Sequence, residues 1–177
     1  MGFLPMRKQT NWKQILPMRK VISNTTPIIC LLKIGKLDLL RELYGKILIP
    51  RAVYLEIEAG KEKDYYTDVS KLDWIEIMPI QSSSARLYLF DLDDGEAETI
   101  ILAQEQTADV AIIDEKLGRR YATRINIPVT GTIGILLKAK ECGLITAVAP
   151  FLRELRDKSS WINDNLFEKA LRLAGEL

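Results

Sequence analysis

Between Arg86 and Lys116 the chain holds no basic residue, while Asp91, Asp93, Asp94, Glu96, Glu98, Glu105, Asp109, Asp114 and Glu115 are all acidic. Carboxylates brought together without a partner repel one another, so such a group is costly unless a cation neutralises it. The sequence contains no histidine. This excludes a Ser-His-Asp or Cys-His apparatus and every zinc or iron site that needs an imidazole. Cys30 and Cys142 lie far apart in apolar surroundings. They read as small buried hydrophobes of a reducing, cytoplasmic compartment and not as a disulfide or zinc site. Oxygen ligands alone point to Mg²⁺ or Mn²⁺. A carboxylate-held ion of this kind can activate water and stabilise in-line attack on a phosphodiester.

The elements that must position these acids are short apolar strands alternating with helices. Strands are expected at 20–23, 46–49, 110–113 and 127–129, with an edge strand at 74–80. Helices are expected across 26–43, broken at Gly35 and Lys36, and from Pro50 through Ile57, ended by Gly60. Further helices are expected at 82–92, 96–106, 115–124 and 132–141, and two more from Ala147 onward around a loop at 158–160. Residues 61–71 are polar and read as helical or loose. Continuous apolar strands between helices imply an α/β fold with three layers and a central parallel sheet covered on both faces. In such sheets ligands bind beyond the carboxyl ends of the strands, near a topological switch point.

That rule selects a subset of the acids. Asn24 follows the first strand, and Glu56 lies on the helix after the second. Glu96 and Glu98 lie in the first turns of the helix before the strand at 110–113, and Asp114 and Glu115 follow that strand directly. Each has a plainer explanation. Asp93 and Glu96 have the spacing of a capping box, and acids in a first turn favour the helix dipole. Glu98 is less easily explained by capping, Glu56 would ordinarily be a solvated helix residue, and Asp114–Glu115 could cap the basic helix. Lys116, Arg120 and Arg124 repeat every four residues and share one face, with Arg119 beside them. That face suits RNA phosphates, or it is a solvated face whose bases favour the helix C-terminus.

Five segments in order carry a resemblance to a known family: KVISNTTPIICLLKIGKLDLL (20–40), IPRAVYLEI (49–57), LDDGEAETIILA (92–103), ADVAIIDEKLGRRYA (108–122) and IPVTGTIGILLKAKECGLI (127–145). Together they resemble a PIN-domain protein of the VapC-like ribonuclease superfamily, in a sparsely characterised prokaryotic branch, and the likeness extends through 151–177. The resemblance implies a Mg²⁺- or Mn²⁺-dependent endoribonuclease, with the toxin of a toxin–antitoxin module as one version, a small antitoxin as partner and a homodimer as the assembly. It matches Asn24, Glu56, Glu98 and Asp114 to the catalytic positions. Glu96 is close enough to substitute for Glu98, and Asp114 and Glu115 are not separated by spacing. Thr26 matches a hydroxyl that helps hold metal or phosphate, and Lys116, Arg119, Arg120 and Arg124 are the expected nucleic-acid contacts. The departure is Asn24, where the family carries an acid. Its amide oxygen can ligate Mg²⁺ but brings no charge and cannot act as a base. The rival expectation is therefore a catalytically weak PIN module that binds RNA or a protein partner.

Composition sets the remaining bounds. Of 177 residues, 47% are hydrophobic and 28% charged, as in ordinary globular domains. No apolar run approaches the ~18 residues of a membrane span. The net charge of +1 is uneven, because residues 1–20 hold five bases and no acid. A generally basic nucleic-acid binder is thus excluded, and any such contact must be local. Residues 1–17 carry Pro5 and Pro17 and lack a signal-peptide pattern. They are expected to be either an extension upstream of a start at Met18 or a basic arm, with the domain running from 18 to 177.

Overall fold

A computed structural model describes residues 19–158 and 161–177. The basic segment 1–17 lies outside the described residues. Five parallel strands form the sheet: β1 (Val21–Ser23), β2 (Ile47–Pro50), β3 (Ile75–Met78), β4 (Val110–Ile112) and β5 (Val129–Thr130). Their order is β3-β2-β1-β4-β5. The chain winds outward from β1 to β3, returns, and winds the other way, so the order reverses between β1 and β4. Register pairs Ile22 with Leu48 on one side and with Ala111 on the other.

Side chains alternate across each strand because the strand period is two. Val21, Ile47, Ile49 and Ile112 enter one core, whereas Ile22, Ala111 and Ile113 enter a second on the other face. The first core is covered by α1 (Thr25–Lys33), α2 (Asp38–Tyr44), α3 (Arg51–Ala59), α6 (Thr132–Glu141), α7 (Ala149–Lys158) and α8 (Asp164–Ala174). The second is covered by α4 (Asp94–Glu105) and α5 (Lys116–Arg124). The result is the expected three-layer α/β arrangement. Cys30 and Cys142 are free, and burial pushes the Cys30 thiol up to about 11, as for an inert core residue.

Two elements differ from expectation. Instead of a helix over 82–92 there is a 3-10 stretch, Ser83–Tyr88, with no buried residue. The run Gln81–Ser84 supplies no apolar face, and Leu89 and Leu92, with the partly buried Ala85, anchor the segment inward. Residues 61–71 form turns that end in the 3-10 helix Val69–Lys71. No helix among the described residues is long and apolar enough to cross a membrane.

Every helix that directly follows a strand begins at the sheet's carboxyl edge, and so does α4, which enters from the β3 side. The core beneath fixes that edge. Ile112 is fully buried in β4, and its carbonyl accepts the Asn24 N–H at 2.9 Å. Ile112→Ala should therefore lower unfolding free energy by about 2–5 kcal/mol. Leu173→Ala, at a position 66% exposed, should stay within about 0.5 kcal/mol of the parent. Urea denaturation of the two variants checks the contrast.

Candidate acidic site at the carboxyl edge of the sheet

Asn24 follows β1, at the N-cap of α1, and is 2% exposed. Its Nδ2 donates to Glu115 Oε2 at 3.2 Å. A carboxylate only accepts, so the amide nitrogen must face it and the oxygen must point elsewhere. Asn24 Oδ1 is buried with no hydrogen-bond partner. The next two residues are tied down as well: Thr25 donates its hydroxyl to Glu56, and Thr26 donates its hydroxyl to Glu115.

The α3 and α4 helices exchange carboxylates. Glu56, on α3, accepts the Gly95 N–H of α4 at 2.9 Å, and Glu98, on α4, accepts the Ala52 N–H of α3 at 2.9 Å. Gly95 and Ala52 both occupy the second position of their helix, where the N–H has no partner within the helix. Each acid thus satisfies an orphan donor and meets the positive end of the other helix's dipole. Glu98 does cap a helix, though not its own.

Glu96 caps its own helix with Asp93. Asp93 Oδ1 accepts the Glu96 N–H at 2.7 Å, and Glu96 Oε2 accepts the Asp93 N–H at 3.4 Å. Yet Glu96 is only 7% exposed. Burial first, then the charges of Asp93, Glu115 and Glu56, push its pKa up to about 7. Glu96 therefore shares one neighbourhood with Glu56 and Glu115.

Asp114 stands apart, turned toward α6. The Thr132 N–H and hydroxyl donate to its two oxygens at 2.7 and 2.6 Å. Burial raises its pKa, against the pull of those bonds. Arg119 reaches back from α5 to donate to the Ile113 carbonyl at 2.8 Å. Lys116, Arg119, Arg120, Thr123 and Arg124 line a shallow concavity on α5.

Asn24, Thr26, Glu56, Glu96 and Glu115 thus lie in one neighbourhood. Asp114 lies beside Glu115, and Glu98 lies at the start of α3. No ion pair among the described residues involves Glu56, Glu96, Glu98, Asp114 or Glu115. No three acidic side chains among those residues converge closely enough to hold a metal ion as they stand. The site is instead a set of acceptors held by hydroxyls and helix N-termini, with one buried oxygen left over. Spacing alone did not reveal Thr25, Gly95, Gly131 or Thr132. The signals were an NTT run after a strand and a Gly-Thr pair opening a helix.

Glycine at position 95 is demanded by contact. A Cβ there would stand 2.5 Å from a Glu56 oxygen and 2.8 Å from its carboxyl carbon. Gly→Ala inside a helix normally stabilises by about 0.4–1 kcal/mol. Gly95→Ala should reverse that sign, costing about 1–3 kcal/mol as Glu56 is displaced from its donors. In a Glu56→Ala background the same change should cost little or become stabilising. Thermal unfolding of the four proteins tests the reversal.

The raised pKa of Glu96 gives a second expectation. A folded-state value near 7 against 4.5 for the ordinary group means the fold prefers the protonated form. Its contribution is most favourable below pH ~4.5, falls as pH rises through 7, and is flat above. Glu96→Gln keeps the capping-box geometry and removes this titration. In EDTA, the variant's stability relative to the parent should rise by on the order of 3 kcal/mol between pH 4.5 and 8. Parallel pH–stability curves for the two proteins would contradict it.

A family model described as a PIN domain matches residues 20–176 of the chain. No curated protein matches it.

Proposed function

Because the chain belongs to the PIN-domain family, whose members are generally nucleases and typically use divalent metals, we propose that it is a metal-dependent endoribonuclease. The carrying observation is Asn24 Oδ1, a buried acceptor without a donor, set among acids that no base neutralises. A hard cation suits such a donor set: all oxygen, net negative, and buried enough, with like charges nearby, to raise the pKa of Glu96. Asn24, Glu56, Glu96 and Glu115 do not converge as they stand and would draw together to hold the ion. Asp114, fixed by Thr132, and Glu98, fixed by Ala52, would shape the field around it. When bound, Mg²⁺ or Mn²⁺ supplies a Lewis acid that lowers the pKa of water and offsets charge on a phosphodiester.

The chain's own groups do the rest. Asn24 anchors Glu115 through its amide nitrogen and offers its oxygen inward. The Thr25 and Thr26 hydroxyls orient Glu56 and Glu115. Lys116, Arg119, Arg120 and Arg124 would take RNA phosphates. A second reading, a weak module that binds RNA or a partner without cutting, is favoured by one feature: the family's first acid is an uncharged amide here.

An RNA cleavage assay with Mg²⁺, with Mn²⁺ and with EDTA decides between them. The parent should cut with metal and not in EDTA, and Glu115→Gln should abolish cutting while remaining folded. Asn24→Asp should tighten Mn²⁺ binding by at least about tenfold, since one more charge ~4 Å from a dication is worth several kcal/mol even in a high effective dielectric. A toxin role would add growth arrest on expression of the parent and none with Glu115→Gln. If neither the parent nor Asn24→Asp binds Mn²⁺ by calorimetry or cuts RNA, the binding-module reading replaces this one.

A further inference from the structure

The segment leading from β3 into α4 turns its largest rings outward. Leu89 and Leu92 enter the second core. Leu87, Tyr88 and Phe90 are 77%, 80% and 84% exposed. Single exposed apolar residues are ordinary, but three large ones within four positions form a patch. Its backbone is held from both sides. Arg86 donates to the Leu89 carbonyl at 2.6 Å, to the Leu92 carbonyl at 3.0 Å and to Asp94 at 2.9 Å. The Tyr121 hydroxyl of α5 donates to Asp91 at 2.9 Å.

That last bond sets the patch beside the cations of α5. Leu117, Tyr121 and Ala122 share the second core with Leu89 and Leu92. The charges of Arg124 and Arg120 act on the Tyr121 hydroxyl. Among the described residues, Lys116, Arg119, Arg120 and Arg124 form no ion pair. The neighbouring acids are engaged, Asp91 with Tyr121 and Asp94 with Arg86. Exposed aromatic rings on a fixed backbone therefore adjoin unpaired cations. Single-stranded nucleic acid uses both, with phosphates on the cations and unstacked bases on the rings. A duplex hides its base faces, and an apolar protein surface has no use for the row of cations.

We propose that Tyr88 and Phe90 are a stacking platform for unpaired bases of RNA whose phosphates lie along α5. The proposal rests on the ribonuclease reading and adds to it a base-binding surface outside the acidic site.

Fluorescence anisotropy with a short labelled oligouridine, and with an RNA duplex of the same length, tests it in Mg²⁺ and again in EDTA. Tyr88→Ala with Phe90→Ala should weaken oligouridine binding by about 30-fold or more, the loss of two stacked bases at the low end of stacking strength. Duplex binding and melting temperature should not change. Tyr88→Trp with Phe90→Trp should bind as the parent does. The aromatic pair should leave the salt dependence unaltered. Lys116→Ala, Arg120→Ala and Arg124→Ala together should reduce the slope of log K against log salt by about 2. Unchanged oligouridine affinity in the double-alanine protein, while the parent binds and cuts RNA, overturns the platform alone. So does a change in oligomeric state by light scattering, which would assign the patch to self-association. A parent that binds no RNA in either buffer overturns both readings.

Discussion

Removal of carboxylates from water at one edge of a small sheet is the constraint around which this molecule is arranged. Glu56, Glu96, Glu98, Asp114 and Glu115 crowd one edge of a small sheet without an ion pair among the described residues. The compensation comes from fixed dipoles. Glu56 meets the start of α4, Glu98 the start of α3, and Asp114 the start of α6. A helix N-terminus carries roughly half a positive charge and several orphan N–H groups. A parallel sheet gathers such termini at one edge, because its helices leave from there. The fold class and the acid cluster are thus one solution, since an antiparallel sheet would bring no such set of N-termini together. Glu96 is buried, with like charges around it and the Asp93 N–H as its donor, and its pKa is pushed up to about 7.

Close approach of acid to backbone leaves no room for side chains at two glycines. A Cβ on Gly131 would stand 2.5 Å from Asp114 Oδ1 and 3.1 Å from the Arg119 guanidinium. Gly95 meets Glu56 in the same way. Neither glycine is needed for an unusual backbone angle, since the glycines of positive φ among the described residues are Gly35, Gly45, Gly143 and Gly175. These two positions serve the electrostatics and not the chain path.

How much of this was legible in the sequence follows from the range of the interactions involved. Strands such as VIS and VAI, and the helix breaks at Gly35 and Gly60, are written in local apolar pattern and turn chemistry, and they appear within a few residues of their expected places. The rule about strand ends selected Asn24, Glu56, Glu96, Glu98, Asp114 and Glu115, of which Asn24, Glu56, Glu96 and Glu115 share a neighbourhood. It did not distinguish Asp114 from Glu115. Adjacent residues at a strand end point to opposite sides, so one turns toward Asn24 and Thr26 and the other toward Thr132. That choice depends on α6, whose start lies 18 positions further on. The exchange between Glu56 and Glu98 was equally hidden. Its two bonds span 46 and 39 positions, and capping heuristics look only along one helix. The segment 82–92 misled because Ala85, Leu89 and Leu92 fall at helical spacing and do face the second core, although the chain between them is a 3-10 stretch and turns.

The charge distribution constrains how a polyanion could reach this edge. With five of the 25 bases in the first 20 residues, the remainder of the chain is net acidic. Long-range attraction, which falls off over about 8–10 Å at ordinary salt, cannot come from the body as a whole. Near the site it can come from α5, whose Lys116, Arg119, Arg120 and Arg124 form no ion pair among the described residues, and it is opposed by the acids a few residues away. Arg119 sits at the boundary between the two. Its guanidinium holds the Ile113 carbonyl at the end of β4 while its helix turns the other cations outward. An anionic strand lying on α5 would therefore gain attraction along the helix and meet repulsion at the cleft. Only a cation held among Asn24, Glu56, Glu96 and Glu115 would remove that repulsion. Under the nuclease reading, occupancy of the acid site and retention of the strand are then coupled through charge, each raising affinity for the other by the same factor.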